Sequence, residues 1–246
     1  MNSRKQFPLA VKAVLIDLDG TLLDTIHDLA EAANQMRLAL GMDILPVARI
    51  KTFVGKGIVN MVQRSLTDSE AIDPKPALLE RALVEYERQY MAVLTREVLH
   101  FPGVEEGMRL LHEAGFLLAC VTNKAERFTR PLLEASGLAH YFSLVVSGDT
   151  TAKRKPDPMP LFHAAEQFGI APQEMVLIGD SVNDFDAARA AGCHVFIVPY
   201  GYNEGRDPAA LDADAIVPGL VEAAKLLKNS GYKRDIDRAS PCSTAQ

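Results

Sequence analysis

The sequence predicts an α/β protein: a doubly wound parallel sheet with an all-helical unit inserted into it. Three observations carry that expectation. Short apolar runs rich in β-branched residues, such as Ala13-Val14-Leu15-Ile16 and Met175-Val176-Leu177-Ile178, have the composition of strands buried on both faces. From His100 onward such runs alternate with segments of helical period, the pattern of right-handed βαβ units. Between Thr25 and about Val98, by contrast, helical spacing recurs with no strand run.

Taken in order, the first strand covers Ala13 to Ile16, and Gly20 lets the backbone turn sharply behind it because it has no Cβ to clash. Ile26, Leu29, Ala30, Ala33, Met36 and Leu40 then recur at helical spacing as far as Gly41, a suitable helix stop. A second helix is expected from Pro46 to the break at Gly55-Lys56-Gly57, a third around Ile58, Met61, Val62 and Leu66, and a longer fourth from Leu78 to Val93. A helix around Val104–Ala114 feeds the strand Phe116–Val121, and a helix over Glu126–Ser136 precedes Leu144–Val146. Helices near Leu161–Phe168 and Asp184–Ala191 precede the strands Met175–Ile178 and Val195–Val198. Ala215–Val217 and a helix over Leu220–Leu227 close the set. The expected division is a core of residues 1–24 and 98–232, a helical insertion of 25–97 and a polar, aperiodic, disordered tail of 233–246.

With 246 residues the chain can bury a sizeable core and carry a smaller second unit. A net charge of −6 argues against a sequence-independent hold on nucleic acid. The 3 cysteines are widely spaced and form no zinc pattern. Cys120 and Cys193 sit in apolar runs and read as small buried hydrophobes, so nothing asks for an oxidising compartment. Arg4 and Lys5 precede an apolar stretch, but Lys12 interrupts it, Asp17 ends it and no small-residue cleavage site follows. No apolar run approaches membrane-spanning length. The expectation is a cytoplasmic monomer or homodimer without nucleic-acid or membrane partners.

Polar residues close each strand. Asp17 and Asp19 follow the first, and in an extended segment residues two apart point to one side, so both carboxylates could converge on a cation. An acidic turn after a core strand accounts for that pair equally well. Thr122-Asn123-Lys124 ends the next strand, and Ser147-Gly148-Asp149 ends the one after it, ahead of the loop Lys153-Arg154-Lys155-Pro156-Asp157-Pro158. Gly179-Asp180-Ser181 ends another, with Asp184 close behind. Open α/β sheets place ligands at this carboxyl rim. A hydroxyl, a cation and several carboxylates there are what phosphoryl transfer requires, and hard oxygen ligands beside a phosphate favour Mg²⁺.

The set Asp17-x-Asp19-Gly20-Thr21, Thr122, Lys155-Pro156 and Gly179-Asp180-Ser181-x-x-Asp184 resembles the four motifs of the haloacid dehalogenase superfamily, in order and in spacing. The helical insertion after the first motif resembles that superfamily's cap, and the similarity runs from Val11 to Leu227. The layout and Phe53-Val54-Gly55-Lys56-Gly57 look like the bacterial phosphoglycolate phosphatases within it. The resemblance implies a Rossmann-like core and a Mg²⁺-dependent phosphomonoesterase acting on a small phosphorylated metabolite, 2-phosphoglycolate first. Asp17 would be the nucleophile that forms an aspartyl-phosphate, and Asp19 the general acid and then base. The carboxylates of Asp17 and Asp180 with the Asp19 carbonyl would hold the metal. Thr122 would bind the transferring group, Lys155 would offset charge on it and on the nucleophile, and Asp184 would orient Lys155 or a metal-bound water, with Asn123 and Ser181 in support. Halide-cleaving relatives lack a carboxylate at the Asp19 position because a halide needs no proton, so Asp19 points to phosphate esters. Other small phosphates (sugar phosphates, nucleotides, pyrophosphate) and a phosphosugar mutase of the same fold remain open.

Three positions keep competing readings. Lys153 stands close to Lys155, and the lysine before proline is preferred because the superfamily's lysine precedes proline. Asp149 and Asp157 read as turn residues. Gly55 and Gly57 could let the backbone approach a substrate and Lys56 could meet its carboxylate, or the trio is a turn between helices with a solvated lysine.

Overall fold

The computed structural model describes residues 6–231; the expected tail of 233–246 lies outside them. Among the described residues one parallel sheet forms the core, built from β2 (Ala13–Ile16), β3 (Leu117–Val121), β4 (Leu144–Val146), β5 (Met175–Gly179), β6 (His194–Ile197) and β7 (Ala215–Ile216). Its order is β4-β3-β2-β5-β6-β7, with every pair parallel. The chain winds outward in both directions from β2, so β2 and β5 flank the point where the winding reverses, and a crevice opens above their carboxyl ends.

Alternation along each strand divides the apolar side chains between two layers. Val14, Ile16, Leu118, Cys120, Val176 and Ile178 face one side, where α5 (Val104–Glu113), α6 (Glu126–Ala135) and α9 (Leu220–Lys225) pack. Ala13, Leu15, Ala119, Val121, Leu177 and Val195 face the other, against α7 (Met159–Phe168) and α8 (Val182–Ala191). Both predicted buried cysteines are buried, Cys120 on the first face and Cys193 on the second.

Between β2 and β3 lie α1 (Ile26–Ala39), α2 (Val47–Lys51), α3 (Ile58–Thr67) and α4 (Pro76–Val93). They pack on one another, α1 against α2 and α4, α3 against α4. Their apolar faces do not form a separate core. Ile26, Leu29, Met36, Phe53, Tyr86 and Tyr90 belong to one cluster with Ile16, Leu18, Phe128 and Phe196.

Several expectations need correcting. A second, two-stranded parallel sheet pairs β1 (Leu9–Val11) with β8 (Leu227–Asn229), where no strand was expected. Each strand has 3 residues, too short for an alternation to register. Lys12 separates β1 from β2 because its backbone N–H and its ammonium both turn to Glu174. The last helix consequently ends at Lys225, not Leu227. α2 is a short turn of helix ending at Lys51, beyond which Phe53 dives into the core. α8 begins at Val182, earlier than the apolar spacing indicated, because Asp184 reaches back to the Ser181 backbone N–H as a capping residue.

Candidate active site

The site is assembled from the carboxyl ends of β2, β3 and β5 and the loop before α7. β2 ends at Ile16 and delivers Asp17, whose backbone N–H still continues the ladder to Ile178. The chain then coils, and the alternation that would keep Asp17 and Asp19 side by side no longer holds. Their carboxylates part. Those that converge are Asp17, Asp180 and Asp184, each offering an oxygen within 4.8 Å of the others.

Lys155 anchors this group. Its ammonium lies 3.0 Å from Asp17 Oδ1 and 2.6 Å from Asp184 Oδ1, and donates to the Val121 carbonyl at 2.6 Å. Lys153, the alternative lysine, is exposed on Asp157. Asp184 accepts from the Ser181 hydroxyl and backbone N–H at 2.7 and 3.1 Å, which fixes it to the start of α8. Gly179 leaves the space that Asp184 fills, since a Cβ there would run into its carboxyl group. Asp180 accepts from the Tyr202 backbone N–H at 2.6 Å and the Thr21 hydroxyl at 3.3 Å. Gly20, at φ +86°, lets the turn pass directly beneath it.

Three buried carboxylates thus face one ammonium, and the imbalance shows in their protonation. Burial raises the Asp17 pKa to about 7 and Asp184 adds to the rise, with Lys155 opposing both. Burial, then Asp184 and Asp17, push Asp180 well above the usual carboxylate range. Burial alone would lower the pKa of Lys155, but Asp17 and Asp184 hold it above its ordinary value. A donor set of hard oxygens with excess negative charge fits a divalent cation, which would relieve the repulsion and return Asp17 and Asp180 to their ionised forms.

Asp19 lines the same cavity but lies outside that cluster. Its carboxylate accepts from the Thr25 hydroxyl at 2.7 Å and from Lys124 Nζ at 2.9 and 2.8 Å. Thr122 ends β3, with its backbone N–H on the Val146 carbonyl, and its Oγ1 accepts from the Lys124 N–H at 3.2 Å. Its hydroxyl proton stays available to the cavity that it lines. Asn123 donates at 2.7 Å both to the Lys155 carbonyl and to the Gly55 carbonyl, tying the lysine loop to the helical insertion.

Gly55 and Gly57 line the cavity, as do Met61, Tyr86 and Tyr90 of the helical layer, so one wall of the site comes from α3 and α4. Lys56 is not part of that lining; its ammonium pairs with Glu204 at 2.9 Å. Asp157 does cap a turn, its Oδ1 accepting from the Met159 N–H at 3.0 Å. Asp149 instead accepts from the Glu126 N–H at the start of α6. Sequence reasoning passed over Lys124, Asn183 and Tyr202. A lysine directly after a buried strand, in the run Thr122-Asn123-Lys124-Ala125, was the one available signal for the first.

A carboxylate cluster and a buried lysine at the reversal point of a parallel sheet define a phosphoryl-transfer hydrolase. Residues 14–198 match the family model described as haloacid dehalogenase-like hydrolase, and the chain belongs to that family. It is 58% identical over 224 residues to a phosphoglycolate phosphatase of Nitrosospira multiformis, covering 91% of this chain and 99% of that one. The phosphoglycolate phosphatase of Thiobacillus denitrificans is 52% identical over 223 residues, with 91% and 98% covered. A crystal structure of a predicted phosphoglycolate phosphatase from Haemophilus somnus superposes with a TM-score of 0.83 at 29% identity, covering 87% of this chain and 97% of that one. The protein is a phosphoric monoester hydrolase. No described helix is long and apolar enough to cross a membrane.

Proposed function

We propose that the protein hydrolyses 2-phosphoglycolate to glycolate and phosphate in the cytoplasm, with Mg²⁺ as its metal. The reading rests on a relative of that activity matching at 58% identity over nearly the whole of both chains. Residues 1–24 and 98–232 serve as the catalytic core and 25–97 as a cap.

Asp17 is the nucleophile: its carboxylate attacks phosphorus in line and forms the aspartyl-phosphate. Asp19 protonates the leaving ester oxygen and then takes a proton from the water that hydrolyses the intermediate. Lys155 and the Thr122 hydroxyl bind the oxygens of the transferring group. Asp184 and Asn123 hold Lys155 by its ammonium and by its backbone carbonyl. Asp17, Asp180 and the Asp19 carbonyl would hold Mg²⁺, which would supply charge neutralisation to the phosphoryl oxygens. Met61, Tyr86 and Tyr90 exclude bulk water from the intermediate.

The test is phosphate release with Mg²⁺ across 2-phosphoglycolate, sugar phosphates, nucleotides and pyrophosphate. The expected result is a kcat/KM for 2-phosphoglycolate well above the rest. A flat profile, or a preference for another ester, keeps the chemistry and discards the substrate.

A further inference from the structure

The site holds a second buried ammonium that the phosphoryl chemistry leaves over. Lys155, assigned to the phosphoryl group, sits among Asp17, Asp184 and the Val121 carbonyl. Lys124 lines the same cavity with 8% of its surface exposed. Its ammonium lies against both oxygens of Asp19 and 4.9 Å from the centre of the Tyr90 ring on α4. An ammonium carries three N–H donors. Among the described residues, the hydrogen bonds of Lys124 Nζ fall on one carboxylate, so a donor is left to point at a ligand.

Its backbone is pinned on either side. The Lys124 N–H donates to Thr122 Oγ1, and the Lys124 carbonyl accepts from the Gly148 N–H at 2.8 Å and from the Thr129 hydroxyl at 3.1 Å. Gly148 is required for that approach, since a Cβ there would strike the Asn123 carbonyl. The ammonium is thus placed before any substrate arrives, which limits the ordering cost of binding.

Asp17, Asp19 and Lys124 line one cavity, and a phosphorylated 2-hydroxy acid presents a phosphorus, an ester oxygen and a carboxylate to such a set. Lys124 touches Asp19, the group assigned to the ester oxygen, so its ammonium lies within reach of what the substrate carries next to that oxygen. We propose that Lys124 is a specificity-determining residue, the one that binds the substrate's carboxylate. This rests on the phosphoglycolate reading and deepens it. Lys56, the lysine that the sequence offered for this task, does not line the cavity and pairs with Glu204.

The experiment compares kcat/KM for 2-phosphoglycolate with that for 2-hydroxyethyl phosphate, which replaces the carboxylate by a neutral alcohol, in the parent and in Lys124→Met, Lys124→Gln and Lys124→Arg. Both substrates are read on the same preparation, so the ratio is independent of how much of a variant folds. In Lys124→Met and Lys124→Gln the preference for the acid is expected to fall by about 10- to 100-fold, the worth of a charged hydrogen bond, mainly through KM. Lys124→Arg, which keeps a cation, is expected to retain most of it. A ratio that holds while both rates fall together overturns the proposal and leaves Lys124 as a support for Asp19. A parent without preference for the acid fells the substrate reading as well, which separates the two failures.

Discussion

Lys155 and Asp184 form an ion pair at 2.6 Å in which neither side chain is more than 2% exposed. Removing one partner of such a pair strands a charge in a medium that solvates it poorly. Asp184→Ala is expected to cost about 3 kcal/mol in urea denaturation. Turnover should fall too, because Lys155 loses the contact that aims it at the phosphoryl group.

Asp17→Asn removes the nucleophile while preserving shape. Phosphate release should drop at least about 10⁴-fold, as for other enzymes deprived of a covalent nucleophile. Rapid acid quench of the parent followed by mass measurement should reveal a phosphorylated chain that the variant lacks. Near-parental turnover would sink the covalent assignment.

Metal and proton compete for the carboxylate cluster. Folding raises the Asp17 pKa from 3.8 to about 7, so the folded protein binds more protons than the unfolded one between those values. Metal-free protein therefore keeps the stability gained from protonated Asp17 at low pH and loses it as pH rises through about 7. Mg²⁺ binds the ionised form. Its stabilisation, about 2.7 kcal/mol at a hundredfold excess over Kd, should be larger at pH 8 than at pH 6. Thermal melts with Mg²⁺ or chelator at the two pH values measure this, and an equal increment at both would contradict the cluster as the metal site.

Gly20 combines φ +86° with a position where a Cβ would collide with the Asp180 carboxylate. Gly20→Ala should lose about 1–3 kcal/mol to backbone strain alone and weaken Mg²⁺ binding by displacing Asp180. A calorimetric titration showing parental Mg²⁺ affinity would count against Asp180 as a ligand.

Lys56→Ala should change KM for 2-phosphoglycolate and for 2-hydroxyethyl phosphate by the same factor, because its ammonium is on Glu204. A larger effect on the acid would return Lys56 to the substrate.

Asp17, Thr122 and Asp180 were legible because each sits at or directly after the end of an apolar run whose burial is readable from composition. These three needed only the topology rule to be brought to one rim, whereas the preference for Lys155 over Lys153 rests on the resemblance of Lys155-Pro156 to the superfamily's motif. What escaped depends on side-chain direction or on distant partners. Asp19 turns from Asp17 towards Lys124 because the strand has already ended, a change of backbone course that two-residue spacing cannot reveal. The Lys56–Glu204 pair spans 148 positions and involves a glutamate at φ 51°, in a turn without periodicity. β1 and β8 find each other from opposite ends of the described chain, through backbone groups that carry no compositional mark.

Tyr202 makes one more connection. Its backbone N–H holds Asp180, while its hydroxyl accepts from the Thr25 N–H at 2.8 Å and donates to Asp24 at 2.9 Å. Asp24 and Thr25 are where the chain leaves β2 for α1, so one residue ties Asp180, through its backbone, to that junction, through its hydroxyl.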